Sequence, residues 1–221
     1  MIRKILNYAK FIEQAVKQIE QLPIKQGFLA YLYAMLQKCL AAYFGLFESD
    51  ARKIVDWFQP ETIAKNEFLV RKDGHCHKLS FIKSGFFRIY DEYNGREITQ
   101  WISSGNDFVT EINSFYFGMP SRWNIQAISD CECFSISRKD YQRMGEEVTN
   151  WKTLETKFIA KCFAVLENRV FSFLAMTAEE RYESLFASKK ELFNEVQLHY
   201  LASMLGMTPE TLSRIRRKMI S

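Results

Sequence analysis

The chain has 221 residues, 48% of them hydrophobic and 15% aromatic, with a formal net charge of +4. That composition excludes a disordered or low-complexity chain and gives enough length for one or two domains with a sizeable core. The five cysteines (Cys39, Cys76, Cys131, Cys133, Cys162) are odd in number and fit no disulfide framework. They point to reduced thiols and a cytoplasmic protein, and no apolar run is long enough to span a membrane.

Residues 2–22 repeat apolar positions at helical spacing up to Pro23, and 28–44 form a second helical run after Gly27. Both read as a packing or dimer-supporting extension over 1–45. Residues 49–58 read as an amphipathic helix capped by Ser49 or Asp50, with Ile54, Val55, Trp57 and Phe58 buried and Pro60 closing it.

From 61 to about 138 the pattern changes. Short apolar or alternating runs (FLVR, LSFIKSG, FFRIYDEY, ITQWISSGND, FVTEINSF, RWNIQAISD, CECFSIS) are separated by turn residues every eight to twelve positions or so. This is the pattern of a small antiparallel jelly-roll of about eight strands. Asn94-Gly95 signals a two-residue hairpin. His75-Cys76-His77 has metal-ligand chemistry but falls in a turn, with no further Cys/His pair spaced to complete a site, so no metal is expected. Cys131 and Cys133 share one strand face and suit core packing.

A short helix over 138–146 leads to a helix without Pro or Gly over 148–175. It carries two apolar stripes. One is Trp151, Leu154, Phe158, Cys162, Val165 and Leu166; the other is Ile159, Phe163, Val170 and Phe173. Two stripes imply two partners, its own barrel and a second copy of the chain. The first stripe (Trp151, Leu154, Phe158, Cys162, Val165) is taken as the dimer face. Thr177 to Glu180 spells a capping box for the next helix.

The last stretch, Leu198 to Ser221, spells a helix-turn-helix. Apolar residues fall at Leu201, Leu205, Met207, Leu212 and Ile215, with Ala202 at a close crossing. Gly206 supplies the turn, Thr208 an N-cap and Pro209 the first residue of the second helix. Arg214, Arg216, Arg217 and Lys218 make that helix basic, so the segment from Val196 onward carries +3 of the chain's net charge. Such a helix suits the major groove of DNA. No Ser/His/Asp set or Gly-rich phosphate loop is present, and no enzymatic activity is expected. The alternative reading of the jelly-roll is a cupin-like small-molecule or metal-binding barrel.

The order of barrel, short helix, long helix and helix-turn-helix, together with KLSFIKSGFFRIY, RYESLF and QLHYLASMLGMTPETLSRIRRK, resembles the Crp/Fnr family of bacterial transcription regulators, in particular a subgroup common in Bacteroidetes-type bacteria. The resemblance runs from about Leu46 to the C-terminus. It implies an α+β chain in four parts: an N-terminal helical extension (1–45), a cyclic-nucleotide-binding-like jelly-roll (46–147), a long dimerisation helix (148–175) and a helix-turn-helix domain (176–221) lacking a full wing. It implies a homodimer on a pseudo-palindromic operator in double-stranded DNA, with RNA polymerase as a further partner and no membrane.

Carried over residue by residue, the base-reading positions are Pro209, Glu210 and Arg214. Glu210 would accept from a cytosine amino group and Arg214 would grip a guanine. Thr208, Ser213 and Arg217, with Lys218 among the basic residues, suit phosphates. The cyclic-nucleotide cassette of the family falls on DFVTEINSFYFGMPSRWNIQA. Glu111 matches the ribose carboxylate, but Thr110 replaces the glycine before it, and the phosphate arginine falls on Ser121 with Arg122 one place later. A one-residue shift turns a strand side chain to the other face, so no cofactor is expected and a cyclic nucleotide is doubtful.

Overall fold

The computed structural model describes residues 34–38, 40 and 48–220. The expected helix over 2–22, most of that over 28–44, and Cys39 lie outside these residues. The chain divides into two compact units at Asp56/Trp57. In the first, residues 34–38 and 40 are helical, and α1 spans Glu48–Val55. Leu36, Leu40, Ala51, Ile54 and Val55 are buried. Ser49 and Asp50 are inside the helix rather than capping it, and Trp57 and Phe58 follow it.

The second unit opens with the jelly-roll. Eight strands form two four-stranded sheets, in the orders β1-β8-β3-β6 and β2-β7-β4-β5. The strands are β1 Gln59–Ile63, β2 Phe68–Val70, β3 Lys78–Ser84, β4 Phe87–Tyr93, β5 Arg96–Ser103, β6 Phe108–Val109, β7 Asn124–Ala127 and β8 Cys131–Ser137. All pairs are antiparallel. Ile63, Val70, Ile82, Phe87, Val109, Ile125, Cys131 and Cys133 fill the space between the sheets. Burial pushes the Cys133 thiol up to about 12, so it packs as an apolar group.

β1 has no apolar alternation to reveal it. It is an edge strand with Pro60 inside it, and an edge is where a missing N–H is tolerated. Tyr93 pairs with Arg96 across Asn94 and Gly95, whose φ values are 51° and 70°. This is the type I′ hairpin that the Asn-Gly pair announces.

The FVTEINSF run is not a full strand. β6 ends after two residues, and helix α2 follows over Ile112–Phe117. The reason is Glu111, whose carboxylate accepts the Ser114 N–H at 2.6 Å and so caps the helix. α3 (Arg138–Glu147) leaves the barrel and α4 (Trp151–Ala175) follows. Gly145 is a glycine within a helix because a Cβ there would lie 2.8 Å from the Trp151 indole.

The expected dimer stripe divides at this point. Trp151, Leu154 and Phe158 are buried against their own chain. Trp151 meets Tyr141 edge-on at 5.3 Å, and Phe158 meets Phe108 at 5.6 Å. The placement of these three on a dimer face is therefore corrected: they anchor α4 to the barrel. Cys162 and Val165 remain exposed. Of the exposed apolar residues of α4, Ile159, Phe163, Leu166 and Val170 follow one another at helical spacing, and Val165, Phe171, Phe173 and Leu174 are exposed as well.

Candidate nucleic-acid interface

After α4 come α5 (Ala178–Ser188), the short α6 (Leu192–Glu195), α7 (Leu198–Met204) and α8 (Pro209–Ile220). α5 begins with the full capping box. The Thr177 hydroxyl accepts the Glu180 N–H, and the Glu180 carboxylate accepts the Thr177 N–H at 2.7 Å. The Thr177 N–H, together with the Thr177 hydroxyl, which also donates to the carboxylate at 2.9 Å, holds the Glu180 carboxyl below the usual carboxylate range. The contribution of Glu180 is therefore present above its unfolded pKa and lost as pH falls through the lower folded one. Thr177→Ala should cost about 1 kcal/mol of stability, which urea denaturation at neutral pH will measure.

α7 and α8 form the helix-turn-helix. Leu201, Ala202, Met204, Leu205, Leu212 and Ile215 make its core with Tyr182, Leu192, Phe193 and Val196. Ala202 is fully buried, as a close crossing requires. Gly206 turns the chain at φ 66°, and a Cβ there would meet Phe173 of α4 at 2.5 Å. The last carbonyls of α7 take cations from two other helices. Arg169 donates to the Met204 carbonyl at 2.7 Å and Arg181 to that of Leu205 at 3.0 Å. Burial lowers Arg169 to about 10, which still leaves it charged at neutral pH. The turn is thus held from α4 and α5 as well as by its own hydrogen bonds.

The Thr208 hydroxyl accepts the Thr211 N–H, the N-cap expected there. Leu212 and Ile215 point inward; Glu210, Arg214, Arg217 and Lys218 are exposed, and Pro209, Ser213 and Arg216 are half-buried. Positions 210, 214 and 217–218 recur at i, i+4 and i+7–8, so these four share one solvent face. Glu210 reaches its own N–H and the Thr208 hydroxyl, which keep its carboxyl below the usual range. Lys218 pairs with Glu179 at 3.0 Å, an exposed contact of small energetic weight. Arg214 and Lys218 line one wall of a cleft of about 420 Å³ whose other wall is the start of α5, Thr177 to Glu179.

The three cassette residues differ in exposure and in partners. Glu111 is buried and committed to capping α2. Ser121 is buried and donates to the Trp123 carbonyl at 2.7 Å. Arg122 is exposed, lies 5.0 Å over the Trp123 ring, and acts on the Lys72–Asp91 ion pair. Cys76 turns into the barrel core, while His75 and His77 are exposed with stacked rings. Among the described residues no group of three or more His, Cys, Asp or Glu converges on a metal-sized site, and no helix is long and apolar enough to cross a membrane.

One residue that the sequence reading missed links the barrel to α7. Arg88 of β4 is only 2% exposed. Its Nη1 donates to Glu97 at 2.6 Å and its Nε to Thr99 at 2.9 Å. Its guanidinium lies over the ring of Tyr90 (4.2 Å) and over that of Tyr200 of α7 (3.9 Å). The available signal was an arginine within the apolar run FFRIY: with Phe87 and Ile89 facing the barrel core, alternation turns Arg88 to the outer face of the sheet, where only a further packed element can bury it.

Residues 60–147 match the family model described as cyclic nucleotide-binding domain. No curated protein matches the chain. Solved structures do match. FixK2 from Bradyrhizobium japonicum is 17% identical, with 73% of this chain and 84% of that one covered and a TM-score of 0.62. A Eubacterium rectale protein assigned to the Crp/Fnr family of transcriptional regulators is 18% identical, covering 79% and 83%, at 0.58. The Thermus thermophilus catabolite activator protein is 17% identical, covering 82% and 86%, at 0.52. The chain therefore shares its fold with these three structures, its cyclic nucleotide-binding-type barrel being followed by a long helix and a helix-turn-helix.

Proposed function

We propose that the protein is a sequence-specific, non-enzymatic DNA-binding transcription regulator that works in the cytoplasm as a homodimer. The parts are an N-terminal extension (1–45), a sensor barrel (46–147), a dimerisation helix (148–175) and a DNA-binding domain (176–221). The observation that carries the reading is the outward face of α8, where Glu210, Arg214, Arg217 and Lys218 stand clear of a fully packed helix-turn-helix core. A helix of this kind placed in the major groove reads bases from its N-terminal half and holds phosphates with its cations. Arg214 matches a guanine and Glu210 a cytosine amino group; Thr208, Ser213, Arg217 and Lys218 suit phosphates, and Pro209 contributes shape alone.

A second copy seats on the exposed face of α4. Ile159, Phe163, Leu166 and Val170 are spaced 4, 3 and 4 residues apart, the rhythm of a coiled-coil seam. Two-fold symmetry then brings two recognition helices to half-sites about one helical turn apart. RNA polymerase is the partner that would turn binding into regulation. The barrel is proposed as the effector domain. With Glu111 and Ser121 committed inside the protein and Arg122 stacked outside, its ligand is not expected to be a cyclic nucleotide, and calorimetry with cyclic AMP should show no saturable micromolar binding.

Selection from a randomised duplex library tests the DNA reading. The wild type should enrich a pseudo-palindrome and bind it with a steep salt dependence. Arg214→Ala should weaken it about 10- to 100-fold and relax the preference at one base pair per half-site. Failure of the wild type to enrich any sequence at modest salt would refute the reading.

A further inference from the structure

We infer that Arg88 is a positioning residue for the DNA-binding unit. Buried between the outer face of the barrel sheet and α7, it pins the first helix of the helix-turn-helix and thereby fixes the distance between the two recognition helices of a dimer. The inference rests on the DNA-binding reading above and adds what sets the spacing of the site.

Arg88 has the largest side chain among those fully buried. A guanidinium so far from water must have its hydrogen-bonding edge and its flat faces occupied. Glu97 and Thr99 of β5 take two of its donors. Tyr90 of its own strand covers it on one side. Tyr200 covers it as well, and comes from α7 rather than from the barrel. Part of the cover over this buried charge is therefore supplied by the helix-turn-helix.

The same edge of β5 holds α7 in two further ways. The Thr99 N–H donates to the Ser203 hydroxyl at 2.9 Å, and that hydroxyl donates to the Glu97 carbonyl at 3.3 Å. Ile102 is buried in one core with Leu201, Leu205, Leu212 and Ile215. Tyr200 and Ser203 are one helical turn apart, so the two contacts fix α7 in rotation as well as in position. On the neighbouring strand connection, Lys189 reaches both Ser104 and Asp107, and Ser104 reaches Glu191. A swing of the helix-turn-helix away from the barrel would strip the Arg88 guanidinium of its Tyr200 ring and open that side of the charge while Glu97, Thr99 and Tyr90 stay in place. That penalty selects one orientation of α8 relative to the barrel and to α4.

A reader held in one orientation tolerates one half-site spacing, whereas a loosely tethered reader tolerates several. This consequence separates positioning from mere stability. The experiment compares the full-length wild type with Tyr200→Ala, Tyr200→Phe and Arg88→Met on duplexes whose two half-sites are at the selected spacing or two base pairs further apart. The wild type and Tyr200→Phe, which keeps the ring, should lose about 100-fold in affinity on the altered spacing. Tyr200→Ala, and Arg88→Met where it folds, should lose tenfold or less, with weaker binding at the native spacing. A spacing preference in Tyr200→Ala as sharp as the wild type's overturns the inference while leaving the DNA reading intact.

Amide hydrogen exchange is measured on the same proteins. Tyr200→Ala should exchange at least tenfold faster over 198–204 and at Thr99, and Tyr200→Phe should not. If the wild type binds no DNA, the DNA reading fails and exchange decides for the clamp: unchanged exchange in Tyr200→Ala overturns it.

Discussion

Glutamate at both Phe163 and Val170 should turn the dimer into a monomer and lower operator affinity by about 10²–10⁴-fold. Phe163 is 65% exposed and Val170 53%, with Ile159 and Leu166 between and beside them on the same face. Fully burying one such side chain contributes about 1.5–3 kcal/mol. Four per helix, doubled by symmetry, exceed 10 kcal/mol gross, enough to offset an association cost of about 4–15 kcal/mol only while the seam is intact. Two carboxylates per chain in the centre of that seam would be desolvated and face their own symmetry mates. DNA affinity falls with dimerisation because the second half-site is bound intramolecularly, a gain on the order of 10²–10⁴. Sedimentation and a gel shift on the same samples check both halves. The fold itself should be unaffected, because both positions face outward and the barrel anchors Trp151, Leu154 and Phe158 are untouched. A monomer that still bound the operator at wild-type affinity would contradict the seam.

Gly85→Ala should lower stability by about 3–5 kcal/mol, in the range of severe overpacking combined with backbone strain. Gly85 joins β3 to β4 with φ at 92°, where side chains are strained. A Cβ there would lie 2.4 Å from the Asp130 carbonyl oxygen, 2.6 Å from the Cys131 sulfur and 2.9 Å from the Cys131 Cα. Two of those atoms are backbone at the start of β8, the strand that pairs with both β1 and β3, so relief requires moving a central strand. Gly95→Ala is the control. It also has a positive φ, 70°, but nothing lies within 4 Å of the added carbon, and about 1 kcal/mol is expected. Thermal denaturation should show a drop on the order of 10 °C for Gly85→Ala and a few degrees for Gly95→Ala. Equal drops would mean that the β3–β4 corner is not as tight as drawn.

The elements with strong local chemistry were legible in the sequence. Asn94-Gly95 dictates a type I′ hairpin, Thr177 and Glu180 write the start of α5 into four residues, and Gly206, Thr208 and Pro209 punctuate the helix-turn-helix. Each rests on bonds between near neighbours in the chain, which any reading of the sequence can see. β1 was missed because an edge strand containing Pro60 has no buried alternation to announce it. α2 was taken for strand because its apolar residues suit either period and its cap is a glutamate, outside the usual capping set.

The two stripes of α4 were both visible, but not which one the barrel would claim. That choice depends on Tyr141 and Gly145 of the preceding helix, which meet Trp151, and on Phe108, fifty positions before Phe158, contacts that exist only in the folded chain. Arg88 was overlooked for the same reason: Tyr200 is 112 positions further on, and no periodicity relates a strand arginine to a tyrosine on a distant helix. In the candidate site, the identity of the α8 face was readable from amphipathic spacing alone, whereas the supports beneath its turn, Arg169, Phe173 and Arg181, were not.

The central claim is that two recognition helices, held at a fixed separation, read one pseudo-palindromic duplex. Footprinting of the full-length protein on the DNA upstream of its own coding sequence tests this most directly. The account predicts two protected half-sites centred about one helical turn, 10–10.5 base pairs, apart. Protection should weaken steeply as salt rises, by about 10³-fold or more between 50 and 200 mM if six or more phosphates are neutralised, and Arg214→Ala should abolish it at concentrations that saturate the wild type. A uniform, sequence-independent protection, or a single unpaired half-site bound by the wild type, would contradict it.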